Sequence, residues 1–204
     1  NSLSVNMTSI PDNSFDGCTK LTSLVLSDNV NEIGLAAFEN AQSLEELVIP
    51  SSVTRLGSSS FSGASSLKEI IIPDSVSTLG NASFNGASSL ESVVLGSSIT
   101  SLGSYVFRGT SLLTSITIPD SVISIGYEAF KDSGLTSLVI PDSVEVIADR
   151  AFYGAPIASL TLGSSLASWG NTTSDRDPFY GICEALNSLS VNMTSIPDNS
   201  FDGC

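Results

Sequence analysis

The chain has 204 residues, 41% of them hydrophobic and only 14% charged, with a formal charge of −14 and no histidine. That apolar content places it outside the disordered class, and its seven Lys and Arg residues argue against nucleic acid as a partner, because phosphate must be neutralised by such side chains. Without histidine, the commonest general base, and without a glycine-rich phosphate loop or metal-ligand spacing, the chain is expected to be neither an enzyme nor a cofactor carrier.

Residues 1–18 return letter for letter as residues 187–204, an offset of 186. Drift erases such identity, so the chain reads as a window onto a longer array whose unit is 186 residues. A fusion or a recent partial duplication would leave the same mark.

Inside this period lies a shorter one of about 23 residues. Its rungs open at Leu21, Leu44, Leu67, Leu90, Leu113, Leu135, Ile157 and Leu186. Each carries an apolar pair such as Leu24/Leu26, Leu47/Ile49, Ile70/Ile72 or Leu138/Ile140, at the period of two that a strand with one buried face requires. The strand stops at a turn, for example Pro73-Asp74-Ser75 or Pro119-Asp120-Ser121, because proline presets φ and has no N–H for a ladder.

A second apolar pair follows, as at Val53/Leu56 or Val76/Leu79, and then a glycine at Gly57, Gly80, Gly103 and Gly126, expected to supply the positive φ of a tight corner. Five residues beyond the second aliphatic stands a phenylalanine: Phe15, Phe38, Phe61, Phe84, Phe107, Phe130 and Phe152, with Phe179 pushed out of spacing by an insertion. These are expected to stack as one column. A small residue three positions later, as at Ala41, Ala64 and Ala87, leaves room for a short helical turn. No rung buries its apolar side alone, so stacking supplies the core. The pattern predicts about eight to nine rungs, with a parallel β-sheet on one face and short turns and helical turns on the other. Residues 1–204 form one solenoid domain: one 186-residue unit plus 18 residues shared with the next.

The string L-x-x-I-x-I-P-x-S-V-x-x-I-G-x-x-A-F, clearest at residues 113–130 and 135–152, resembles the BspA-type leucine-rich repeats of bacterial and protist surface proteins. The resemblance implies a leucine-rich-repeat solenoid in an extracellular or cell-surface setting. It implies no catalytic residues, and no binding surface is carried over from it. Family members often place cysteine where this chain has Ala41, Ala64 and Ala87; Cys18 and its copy Cys204 keep that feature.

No run of about 18 apolar residues is present to span a bilayer, and with no initiator methionine or signal peptide, any targeting segment is expected outside this window. The acidic residues keep a repetitive sheet polymer soluble. A sharper alternative sets calcium between Asp28, Asp74, Asp120 and Asp142, which share one turn position, but no spacing matches a known calcium loop, and ordinary turn chemistry is preferred.

Cys183 and Cys204 each precede the opening of the next rung by three residues. Stacked equivalents would stand about 5 Å apart, within disulfide range. The expectation is therefore a Cys183–Cys204 bridge, with Cys18 pairing to the preceding unit; buried thiols are the alternative. Four N-glycosylation sequons begin at Asn6, Asn81, Asn171 and Asn192.

Two surfaces are candidate interfaces. One is the outward stripe of the strands, Val25, Val48, Ile71 and Val94, an aliphatic patch of the kind that marks contact sites, although strand propensity alone explains β-branched residues there. The other is the insertion around Asp175, Arg176 and Asp177, since solenoid insertions bulge from one face, although it also reads as a tolerated loop. The functional expectation is a segment of a tandem-repeat extracellular glycoprotein filament or coat, its partner another copy of itself by end-to-end continuation, with N-linked glycans attached. The alternative is an adhesin or ligand-binding module for a host or matrix protein. Neither reading involves nucleic acid or insertion into a membrane.

Overall fold

The structure is a computed structural model that describes residues 2–5, 7–169, 177–192 and 201. Its strands are short, numbered here in chain order, and form two rows. The first row comprises β1 (Ser2–Val5), β2 (Ser23–Leu26), β4 (Glu46–Leu47), β6 (Glu69–Ile71), β8 (Ser92–Val94), β11 (Ser137–Val139), β13 (Ser159–Leu162) and β15 (Ser188–Val191). The second comprises β3 (Glu32–Ile33), β5 (Arg55–Leu56), β7 (Thr78–Leu79), β9 (Ser101–Leu102), β10 (Ser124–Ile125), β12 (Val146–Ile147) and β14 (Ser168–Trp169).

Strand pairing is parallel, and it matches each residue with its equivalent one rung away: Leu24 with Leu47, Ile70 with Val93, Leu56 with Leu79, Leu138 with Leu160. The short period is thus one turn of a coil. The first row is not one continuous ladder. Residues 114–118 carry the rung pattern between β8 and β11 but lie in no strand, and the hydrogen-bonded groups in this row are β1–β2–β4, β6–β8 and β11–β13–β15.

From Leu24 to Leu166 the apolar pairs of the rungs point inward, and one continuous cluster of buried side chains runs along the coil axis; at β15 Leu189 is 41% exposed. The proline turns close by backbone bonds such as Val76 N–H to the Pro73 carbonyl and Val122 N–H to the Pro119 carbonyl, both 3.0 Å. Their serines reach back one rung, Ser75 Oγ to the Val53 carbonyl at 2.6 Å and Ser121 Oγ to the Ile99 carbonyl at 2.7 Å. The repeated serine therefore ties neighbouring turns together, a role that turn propensity alone does not reveal.

The phenylalanines form the expected column. Neighbouring rings from Phe15 to Phe107 lie parallel, 5.1–5.5 Å between centroids, and the stack continues through Phe130, Phe152 and Phe179 to Phe201. Phe179 keeps its place at 5.1 Å from Phe152 although the two are 27 positions apart, against 22 or 23 for the other neighbours in the column. Offset stacking at these distances is favourable in its own right.

Two expectations are corrected. The segments carrying the column are not helical turns, and no helix occurs among the described residues. From Phe15 to Phe152 the residues two before and two after each column phenylalanine have positive φ, as at Ala36 and Asn40, Ser59 and Gly63, Ala82 and Gly86, Tyr105 and Gly109. That left-handed backbone breaks the helical i to i−4 ladder. Alternate N–H groups point to the next rung instead: Ala36 to Ser58, Phe38 to Ser60 and Asn40 to Ser62, at 2.7–2.9 Å.

The corner glycines are the second correction. Gly57, Gly80, Gly103 and Gly126 do not have positive φ. A Cβ at Gly80 would collide with the backbone of Gly57 and Ser58, and one at Gly126 would lie 2.7 Å from Ser104 N. Close approach of neighbouring rungs, rather than turn conformation, requires glycine there.

Candidate binding surfaces

On the first row, the residue between the two buried ones faces outward. Val25, Val48, Ile71 and Val94 are 59%, 82%, 64% and 52% exposed, and the register places Val25 in line with Val48 and Ile71 beside Val94. The sequence-predicted stripe is therefore exposed as two paired segments, Val25 with Val48 and Ile71 with Val94. Carboxylates border it. Glu45, Glu46, Glu69 and Glu91 line a groove of about 670 Å³ with Lys68 as its cation, and Lys68 lies 3.5 Å from Glu45. Both partners of that pair are largely exposed, so it adds little stability, and the groove keeps its negative field.

A second surface was missed by reading along the chain. All four tyrosines, Tyr105, Tyr127, Tyr153 and Tyr180, lie beside the phenylalanine column on successive rungs, together with three of the seven basic residues. The hub is Glu128. It is buried, and Arg108, Lys131 and Arg150 approach its carboxylate at 3.3, 3.3 and 3.9 Å from three rungs. One buried charge is expensive, and several cations with hydrogen bonds offset that cost.

The cations also cover the tyrosines. Arg108 sits 5.7 Å from the Tyr105 ring, and Lys131 and Arg150 sit 5.1 and 6.0 Å from the Tyr153 ring, within cation–π range. Tyr105 meets Tyr127 edge-on and Tyr153 stacks on Tyr180. A hydrogen bond to Glu128 holds the Tyr127 phenol above its usual pKa, with burial and the nearby negative charge adding to it. A signal for this strip exists in the sequence, but only down the columns. The residue after each phenylalanine runs Asp16, Glu39, Ser62, Asn85, Arg108, Lys131, Tyr153 and Tyr180, from acidic through neutral to basic and aromatic.

The remaining expected site residues fare unequally. Asp177 is not an exposed contact: it is 2% exposed, and its Oδ1 accepts the Phe179 N–H at 2.7 Å. The carboxylate is thus turned inward to cap the turn that returns Phe179 to its column. Asp175 and Arg176 lie outside the described residues, as do Asn6, Asn171 and Cys204. Asn81 is exposed, with Oδ1 accepting the Ser104 N–H at 3.0 Å, and Asn192 is exposed just after β15.

Cys18 is a half-buried free thiol. The equivalence behind the expected bridge shifts by one residue. Ile182 N–H bonds to Phe179 O as Cys18 N–H bonds to Phe15 O, so Ile182 occupies the column of Cys18 and Cys183 stands one residue beyond it; Cys183 is nonetheless disulfide-bonded. The turn aspartates act through hydrogen bonds. Asp74 accepts from the backbone and hydroxyl of Ser97, and Asp142 from those of Ser164, which holds both carboxyls below their ordinary pKa. Among the described residues no group of three or more His, Cys, Asp or Glu is placed to hold a metal ion.

Coils of this rung length, with a proline turn and a phenylalanine column, match the BspA type leucine-rich repeat region in six copies over residues 2–113 and 100–204. The chain belongs to that family. Solved leucine-rich-repeat proteins share its coil. A leucine-rich repeat protein from Bacteroides ovatus is 25% identical over 93% of this chain and 68% of its own, with a TM-score of 0.55. The leucine-rich repeat protein of T. pallidum is 23% identical over 91% of this chain and 78% of its own, at 0.59. A leucine-rich cell surface protein from Faecalibacterium prausnitzii is 24% identical, covering all of this chain and 73% of its own, at 0.55. No curated protein matches the chain. The six family copies are fewer than the eight to nine rungs that the sequence spacing predicts.

Proposed function

We propose that this BspA-type chain is a segment of a surface-borne structural protein in which 186-residue units, each of eight rungs, follow one another in a single uninterrupted coil. One observation carries the reading: the duplicated termini occupy equivalent places. Ser2–Val5 and Ser188–Val191, the same four residues 186 positions apart, both pair in parallel within the first row, and Phe15 and Phe201 stand in the same ring column. A following unit therefore enters in register. The cell-surface setting rests on the family and on the Faecalibacterium relative. Catalysis is no part of this reading.

Two finer features belong to it. A Cys183–Cys204 bridge, with Cys18 joined to the unit before, would staple successive units; thiol titration of the unfolded, unreduced chain should then find one free thiol, and three would reject the staple. Glycans at Asn81 and Asn192 would coat exposed positions, and peptide mapping before and after a glycosidase reads their occupancy. For the assembly itself, electron microscopy of native material should show continuous filaments with an axial repeat of about 38 Å, eight strand spacings of about 4.8 Å. Isolated particles would overturn it.

The aliphatic stripe favours a second reading, adhesion of the sheet face to a host or matrix protein. Changing Val48, Ile71 and Val94 together to Thr should abolish adhesion to that partner while leaving the fold intact. Unchanged adhesion would remove this reading.

A further inference from the structure

We propose that the acidic groove of the first row is the docking site for the tyrosine–cation strip of a second copy of this chain, so that coils associate side by side. The proposal extends the structural reading above from axial continuation to lateral contact.

Charge complementarity selects the occupant. The groove brings together four carboxylates and one lysine, whereas the strip, where Arg108, Lys131 and Arg150 stand among Glu128, Asp132 and Asp149, concentrates three of the seven basic residues of a chain whose total is −14. The strip is therefore the face on which this acidic chain offers cations to a carboxylate-lined groove. At physiological salt the screening length is about 8 Å, so facing charges attract locally although the two whole molecules repel.

Spacing narrows the occupant further. The groove takes its residues from four successive rungs, from Thr22 to Ser92, and the tyrosines of the strip come from four successive rungs, from Tyr105 to Tyr180. A partner whose charges recur at the rung spacing of this coil is another coil of the same repeat. Tyrosine and arginine are also the side chains that anchor protein interfaces. Groove and strip lie on different faces, one on the first sheet and the other on the turns of the phenylalanine column. A contact between unlike faces does not close on itself, so it propagates, as a coat requires.

Sedimentation velocity on the 204-residue chain tests this. The wild type should associate reversibly, and raising salt from about 0.01 M to about 1 M, which shortens screening from about 30 Å to about 3 Å, should weaken association at least about tenfold. Paired substitutions Glu46→Lys and Glu69→Lys should weaken it by about tenfold or more. If coils associated only when general repulsion was lowered, the same change would strengthen it, as should Asp120→Lys with Glu145→Lys, which reverses two exposed charges off both surfaces. On the strip, Tyr180→Ser, at the exposed end of its stack, should cost about fivefold or more.

Circular dichroism confirms that each variant retains its fold. A wild type that stays monomeric up to about 1 mM, the weak end of specific binding, overturns the proposal, and so does a Glu46→Lys/Glu69→Lys protein that associates as well as the wild type. Neither result bears on the axial repeat, and loss of the axial repeat leaves lateral association measurable.

Discussion

Residues two before each phenylalanine show how little of the local backbone propensity controls. Asn13, Ala36, Ser59, Ala82, Tyr105, Glu128 and Arg150 all have φ between 50° and 61°, a region costing non-glycine residues about 1–2 kcal/mol each. The bonds from alternate N–H groups to the next rung and the buried ring between the two left-handed positions offset that cost. Replacing Phe84 with Ala removes such a ring and should destabilise the coil by about 3–5 kcal/mol in urea unfolding; a loss under about 1 kcal/mol would mean that the column is not core. Glu128→Gln leaves three cations clustered without their carboxylate and should cost about 2 kcal/mol, with part of the loss recovered in high salt.

Asp74 and Asp142 act at this same scale. Hydrogen bonds from Ser97 and Ser164 depress their folded carboxyl values below the ordinary 3.8. A depressed folded value means that the stabilisation is whole above the unfolded value and is lost as pH falls through the folded one. The melting-temperature difference between wild type and Asp74→Ala should therefore be constant from neutral pH down to about 5 and shrink below 3.8. A difference that grows on acidification would contradict the assignment.

At the scale of the element, two kinds of glycine do different work. Gly86 has φ of 72° and only ordinary contact, 3.9 Å from Gly63 N, where a Cβ would stand, whereas Gly80 has an ordinary φ and the backbone of the previous rung in that space. Gly86→Ala should cost about 1–2 kcal/mol of backbone strain. Gly80→Ala must push two rungs apart and should cost about 3 kcal/mol or more. If denaturant midpoints rank these two the other way, steric approach is not what selects the corner glycine. The first-row strands obey a simpler rule. Alternation alone identified Leu24 and Leu26 as inward and Val25 as outward, because a pleated strand leaves no other option.

For the whole molecule, stability is that of a stack: each rung buries its apolar residues against its neighbours, and the continuous core cluster extends the same contacts from Ile10 to Ile182. The break in the first row at residues 114–118 does not interrupt the phenylalanine column, since Phe107 and Phe130 remain 5.4 Å apart. A protein of two 186-residue units should unfold at higher denaturant than a single unit, because it adds one more interface between rungs than two separate units contain. Equal midpoints would mean that the units do not stack.

Sequence by itself determined the coil. The 23-residue period, the proline turns, the inward pairs and the phenylalanine column follow from periodicity, turn chemistry and the impossibility of burying one rung alone, and these are local constraints repeated many times. Tertiary structure decided what depends on neighbours in the next rung. The helical turns became left-handed corners because their N–H groups found carbonyls one rung away. Gly57 and Gly80 proved to be sites of close approach, and Asp177 turned inward as a cap. Glu128 gathered Arg108, Lys131 and Arg150 across rungs. Contacts between rungs, such as those of Arg108 and Arg150 with Glu128, carry no signal along the chain, and they decided where charge and tyrosine are displayed.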